Sequence, residues 1–127
     1  MEIYRWVPSG DSIQNNFMKK LAVETLQAPA VSIFYTKGLD FSHNEIYEAP
    51  YTDISLGWGW TSYTRIAKPE GYSQTAANNK VDYNKIVNVL LKMHDGGGIY
   101  NLGEQPGSEM VGDYFGTIGG FFAGMFN

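Results

Sequence analysis

Ser108-Glu109-Met110-Val111-Gly112-Asp113-Tyr114-Phe115-Gly116-Thr117-Ile118-Gly119-Gly120-Phe121-Phe122-Ala123-Gly124-Met125-Phe126-Asn127 is the most strongly patterned stretch of the chain. Val111, Tyr114, Phe115, Ile118, Phe121, Phe122 and Met125 follow the i, i+3, i+4, i+7 rhythm of a helix face. Gly112, Gly116, Gly120 and Gly124 recur at every fourth position. At 100° per residue the bulky and bare stripes fall on nearly opposite sides. The pattern predicts a helix with a glycine ridge. Each interior Gly costs roughly 0.8–1 kcal/mol relative to Ala, so such a helix needs a neighbour packed closely against its backbone. The expected interface is therefore Gly112, Gly116, Gly120 and Gly124, with Phe115, Ile118, Phe121, Phe122 and Met125 on the bulky side. The neighbour could lie inside the domain, in another subunit, or in a bilayer. Burial in an assembly fits best, because the apolar run from Met110 to Phe126 is short of the usual ~20 residues and is broken by Asp113.

Upstream, Ile13, Phe17 and Leu21 suggest an amphipathic helix over about 11–27, with Ser9 or Asp11 as N-cap and Pro29 ending it. A second helix is expected from Ala77 or Lys80 to His94, with Tyr83, Ile86, Val87, Leu90, Leu91 and His94 as its buried stripe. Asp95-Gly96-Gly97-Gly98 would stop it. Strands are expected at Glu2 to Val7 and Ala30 to Thr36, with a short one at Glu45 to Glu48. The clearest strand signal is Thr52 to Ile66, which sets Ile54, Leu56, Trp58 and Trp60 on one face. Its other face carries Gly57 and Gly59, and glycine in a strand often marks a close approach of another backbone or a ligand. No internal repeats are expected. These elements give an α+β fold: a small, mainly antiparallel sheet, two amphipathic helices and a glycine-rich C-terminal helix. Residues 1–107 would form the core domain and 108–127 the packing element.

A length of 127 residues suggests one domain. Charged residues make up 17%, below the roughly 25% of ordinary globular proteins. Low charge with abundant Tyr, Gly and Asn leans towards burial in an assembly. The net charge of −4 and the scattered lysines argue against a nucleic-acid binder. The absence of cysteine excludes disulfides and thiolate sites. Met1 to Trp6 lacks a signal-peptide layout, so synthesis in the cytoplasm without export is expected.

Chemistry is sparse. Asp40, His43 and Glu45 are the first candidates if a metal binds, although their spacing fits neither the calcium loop nor the zinc helix motif. A solvated polar loop is the commoner use of such a stretch. The only other histidine, His94, reads as a helix terminator. Asp95 to Gly98 follows a helix and lacks the phosphate-loop lysine. Trp58, Trp60 and Tyr63 could form a stacking platform for a ligand, though core packing is the usual role of tryptophans on one strand face. No cofactor motif is present. The expected function is a non-enzymatic structural or assembly subunit, such as a virion component of the minor capsid, connector or tail type. Its partners would be copies of itself or other subunits. The alternative is a membrane-active protein inserting its glycine-rich terminus, and a third reading is a small ligand- or metal-binding domain or enzyme.

Overall fold

The computed structural model describes residues 8–57, 76–103 and 105–119. Among these residues there is no helix. The chain instead winds through short strands that build three sheets, and every strand pair is parallel. The first coil supplies β1 (Ser12–Gln14), β2 (Phe17–Lys19) and β3 (Val31–Ile33). The second supplies β4 (Asp40–Ser42), β5 (Glu45–Tyr47) and β6 (Ile54–Leu56). The third supplies β7 (Lys80–Asp82), β8 (Lys85–Val87) and β9 (Ile99–Asn101). A fourth coil adds β10 (Tyr114–Phe115), flanked by parallel bridges from Glu109 to Lys80 and from Ile118 to Val89. The first sheet runs β1-β4-β7, the second β2-β5-β8-β10 and the third β3-β6-β9. This is an all-β solenoid.

The sequence does contain the repeat that this fold requires. Residues 8–20, 36–48, 76–88 and 105–117 share one pattern. A Gly or Asn with positive φ comes first: Gly10, Gly38, Asn78 and Gly107. Three residues later comes an apolar side chain, Ile13, Phe41, Val81 and Met110, fully buried in the two inner coils, and then a second positive-φ residue makes a corner: Asn15, His43, Tyr83 and Gly112. Asn16, Asn44, Asn84 and Asp113 follow directly, and two residues further Met18, Ile46, Ile86 and Phe115 lie in register. The corner asparagines are 28 and 40 residues apart, and Asn84 is 29 from Asp113. Unequal spacing is why no fixed period emerges from the sequence.

The same geometry overturns the two expected helices. On the first two sheets each three-residue strand turns its central apolar side chain inward, and the corner adds two residues. Inward positions therefore come five apart, as in Phe41/Ile46 and Val81/Ile86, all at most 1% exposed. Outward aromatics such as Phe17 and Tyr83 fall between them and complete a false helical stripe. Of the expected strands, Val31–Ile33, Glu45–Tyr47 and Ile54–Leu56 are present, but they pair in parallel and not antiparallel. Ile54 and Leu56 are fully buried. The expected strand at residues 2–7 and the continuation from Trp58 to Ile66 lie outside the described residues.

The glycine-ridged helix is likewise replaced by the fourth coil. Gly112 is a corner residue with φ +71, and a Cβ there would meet the Tyr83 ring at 2.5 Å. Gly116 has another task, since a Cβ would press on Val87 at 2.9 Å. These glycines serve separate local fits on one solenoid and do not form a ridge. Gly120, Phe121, Phe122, Gly124 and Met125 lie outside the described residues.

Phe41, Ile46, Ile54, Leu56, Val81, Ile86, Val89 and Leu90 form the interior. Burying each such side chain contributes about 1.5–3 kcal/mol. A polar file runs through this interior beside the first corner. The Oδ1 of Asn44 accepts from the backbone N and the Nδ2 of Asn16 at 3.1 and 2.9 Å. Asn84 does the same for Asn44 at 3.0 and 3.1 Å, and Asp113 for Asn84 at 2.7 and 3.0 Å. The remaining amide hydrogens reach carbonyls, from Asn44 to Ile13 and from Asn84 to Phe41. Asn44 and Asn84 are at most 1% exposed, and such groups are tolerated inside only when bonded. The ladder holds the corner in its left-handed conformation, which would otherwise cost His43 and Tyr83 about 1–2 kcal/mol each.

Candidate functional site

The corner ladder fixes what the second sheet shows to the outside. With Met18, Ile46, Ile86 and Phe115 in one register row, the flanking positions face outward. One outward row is Phe17, Glu45, Lys85 and Tyr114. The other is Lys19, Tyr47 and Val87. The Phe17 ring lies 5.4 Å from the Tyr47 ring, tilted by 36°. The Tyr47 hydroxyl donates to a Glu45 carboxylate oxygen at 2.6 Å. Lys85 Nζ sits 5.5 Å from the centre of the Tyr47 ring and 4.0 Å from Glu45 Oε2. Tyr47, Glu45 and, more weakly, Tyr114 hold the Lys85 ammonium charge, raising its pKa. At the adjoining corner, His43 and Tyr83 meet edge-on at 5.4 Å.

Three coils thus contribute an aromatic to the second sheet, Phe17, Tyr47 and Tyr114, and the third contributes Tyr83 at the corner beside it. Three of them are well exposed, at 68%, 58% and 59% for Phe17, Tyr83 and Tyr114. Large exposed apolar groups carry information when they line up. Parallel strands stand about 4.8 Å apart, so four coils spread these rings over roughly 14 Å along the axis.

The outer face of the first sheet is polar. Gln14 donates to Asp40 at 2.6 Å and Ser42 to Asp40 at 2.7 Å. Lys80 pairs with Glu109 at 2.8 Å, and Asp82 accepts from the Val111 backbone at 2.9 Å. Asp40, His43 and Glu45 follow one another along the second coil, on the first sheet, the corner and the second sheet. Among the described residues no three His, Asp or Glu side chains could hold a metal ion. Trp58, Trp60 and Tyr63 lie outside the described residues. A shallow depression of 230 Å³ opens elsewhere, lined by Val23, Leu26, Pro50 and Leu91 with Lys20, Glu48 and Lys92 at its sides. Asp53 is fully buried, and its carboxyl oxygens have no hydrogen-bond partner among the described residues. Burial alone pushes its pKa up to about 7.

A search of solved structures finds a chain described as "Glycoside hydrolase", which superposes with a TM-score of 0.82 at 31% identity over 97% of this chain. This solenoid is homologous in structure to part of a glycoside hydrolase. The chain spans 19% of that protein's length. No family model matches the sequence, and no curated protein does.

The homology overturns the expectation of an assembly subunit or virion component. The terminal helix on which the membrane-active alternative was built is absent over residues 108–119. No helix among the described residues is long and apolar enough to cross a membrane. The aromatic side was missed because Phe17, Tyr83 and Tyr114 had been assigned to helical stripes. A signal was available: three of the four aromatics touch a ladder residue in sequence, as Asn16-Phe17, Tyr83-Asn84 and Asp113-Tyr114.

Proposed function

We propose that this chain is a solenoid domain of a carbohydrate-active protein, and that its second sheet contacts the glycan. The observation that carries the reading is one aromatic ring per coil on a fold whose structural relative is a glycoside hydrolase. Ligand sites join apolar contact area to a few well-placed polar groups. Here Phe17, Tyr47 and Tyr114 offer rings to the C–H faces of sugars, while Glu45, Lys85 and the tyrosine hydroxyls offer hydrogen bonds. Tyr47 and Lys85 hold Glu45 in place, which suits it to orienting a hydroxyl. Glycoside cleavage generally uses two carboxyl groups flanking the scissile bond, one with a raised pKa. Glu45 is the one carboxylate in the two outward rows, so the role assigned to this face is contact.

Affinity electrophoresis of the whole chain through gels containing soluble polysaccharides tests the proposal. The triple change Phe17→Ala, Tyr47→Ala and Tyr114→Ala should weaken retardation at least tenfold. Leu26→Ala, in the separate depression, should leave it unchanged. Equal retardation of the triple variant and the parent rules the face out.

A further inference from the structure

We infer that the glycan taken by this face is an uncharged chain lying along the solenoid axis. This deepens the reading above and rests on it. The first ground is charge. Every lysine on the second sheet and its far corner already faces a carboxylate: Lys19 and Lys20 reach Glu48 at 3.1 and 3.9 Å, and Lys85 reaches Glu45 at 4.0 Å. A polyuronate or sulfated chain would have to compete with these partners for each ammonium group. It would also meet the adjoining sheet, where the half-buried Asp40 and the exposed Glu109, with Asp82 buried behind them, outnumber Lys80. Asp82 and Lys85 are three residues apart, so their backbones are separated by at most about 11 Å. That is about one Debye length at 0.1 M salt, and the acidic sheet is felt on the aromatic one. Like charge across an interface is a strong selector against a partner.

The second ground is direction. The rings on the sheet come from the first, second and fourth coils, with Lys85 on the third and Tyr83 at its corner, and Phe17 to Tyr114 spans all four. A single sugar ring covers one or two of them, whereas an oligosaccharide parallel to the axis meets each in turn. Affinity should therefore rise with chain length until the ligand spans the face, and then level off.

The same gels distinguish the outcomes, using galactomannan, mixed-linkage glucan and dextran against polygalacturonate and alginate, each at low and high NaCl. The expected result is retardation by at least one neutral polymer, changed less than twofold by salt and lost in the triple aromatic variant. Retardation by a polyanion alone, weakened more than tenfold by salt and lost in the same variant, overturns the uncharged-chain inference and leaves the sugar-contact reading standing. No retardation by any polymer overturns both. For the neutral polymer that binds, calorimetry with its oligomers should show Kd falling at least tenfold from disaccharide to hexasaccharide. A length-independent Kd overturns the axial arrangement.

Discussion

Two parts of each coil differ sharply. From the first sheet through the corner to the second, the backbone repeats residue for residue: Ser12 to Lys19, Asp40 to Tyr47 and Lys80 to Val87 align without insertion. From the second sheet to the third, the connection runs over residues 20–30, 48–53 and 88–98, and its length varies. The constant part has an internal polar file that must stay in register. The variable part is tied to its neighbour by backbone bonds such as Leu90 N–H to the Tyr51 carbonyl and Lys92 N–H to the Pro50 carbonyl, and between these ties its loops can grow outward. Two carboxyl groups sharpen the contrast. Asp113, in the constant part, is raised in pKa by burial but accepts two bonds from Asn84 that pull the other way. Asp53, at the end of a variable connection, is buried with no such partner.

The strongest challenge to this division is one inserted glycine between Ser42 and His43. It shifts β5 by one position, turns Ile46 outward and breaks the ladder. Loss of the cooperative urea transition is expected. Next comes Asn84→Ala, which strips the acceptor from Asn44 and the donor from the Phe41 carbonyl inside the core. At about 1–3 kcal/mol for each buried group left unpaired, a loss of about 4–5 kcal/mol is expected in urea titration; a loss below 1 kcal/mol would show that the ladder is incidental.

Asp53 gives a pH test. The unfolded carboxyl loses its proton near 3.8 and the folded one near 7. Between those values the unfolded chain binds fewer protons, so this group makes stability fall as pH rises from about 4 to 7 and leaves it level above. The contribution is on the order of 4 kcal/mol. Asp53→Asn should remove that slope, seen as a smaller difference between unfolding free energies at pH 4.5 and pH 8. Gly112→Ala should cost about 2 kcal/mol, from the left-handed backbone and the Tyr83 ring above it. The smallest effect belongs to the variable part. One glycine inserted between Met93 and His94 should cost less than about 0.5 kcal/mol. A thermal shift as large as that of Gly112→Ala would erase the distinction between the two parts.

Parts of this architecture were legible in the sequence. Ile54 and Leu56 alternate cleanly because β6 is a true pleated strand, and Val31–Ile33 shows as a β-branched run. The polarity of the 40–45 stretch was visible, but its division over two sheets was not, because a two-residue corner leaves no break in composition. The helices were misread for a physical reason. Inward positions five apart, interleaved with outward aromatics, imitate a 3.6-residue period over the short windows that local pattern uses. Glycines four apart at 112 and 116 imitated a ridge, although one answers a backbone angle and the other a neighbouring valine. The candidate site was hidden by the same error, since outward rings on a solenoid became inward rings on helices.

The asparagine file also has a sense of direction. Each side-chain amide gives one hydrogen to the coil ahead, beside the bond from its own backbone N–H, and Asp113, lacking an amide, receives from Asn84 and has only its backbone N–H to give onward. An engineered coil carrying asparagine could be spliced between the second and third turns and both take and supply these bonds. Spliced after the fourth, its acceptor oxygen would find one donor, the Asp113 backbone N–H, where the inner coils offer two. Asp113→Asn is the change that would supply the second.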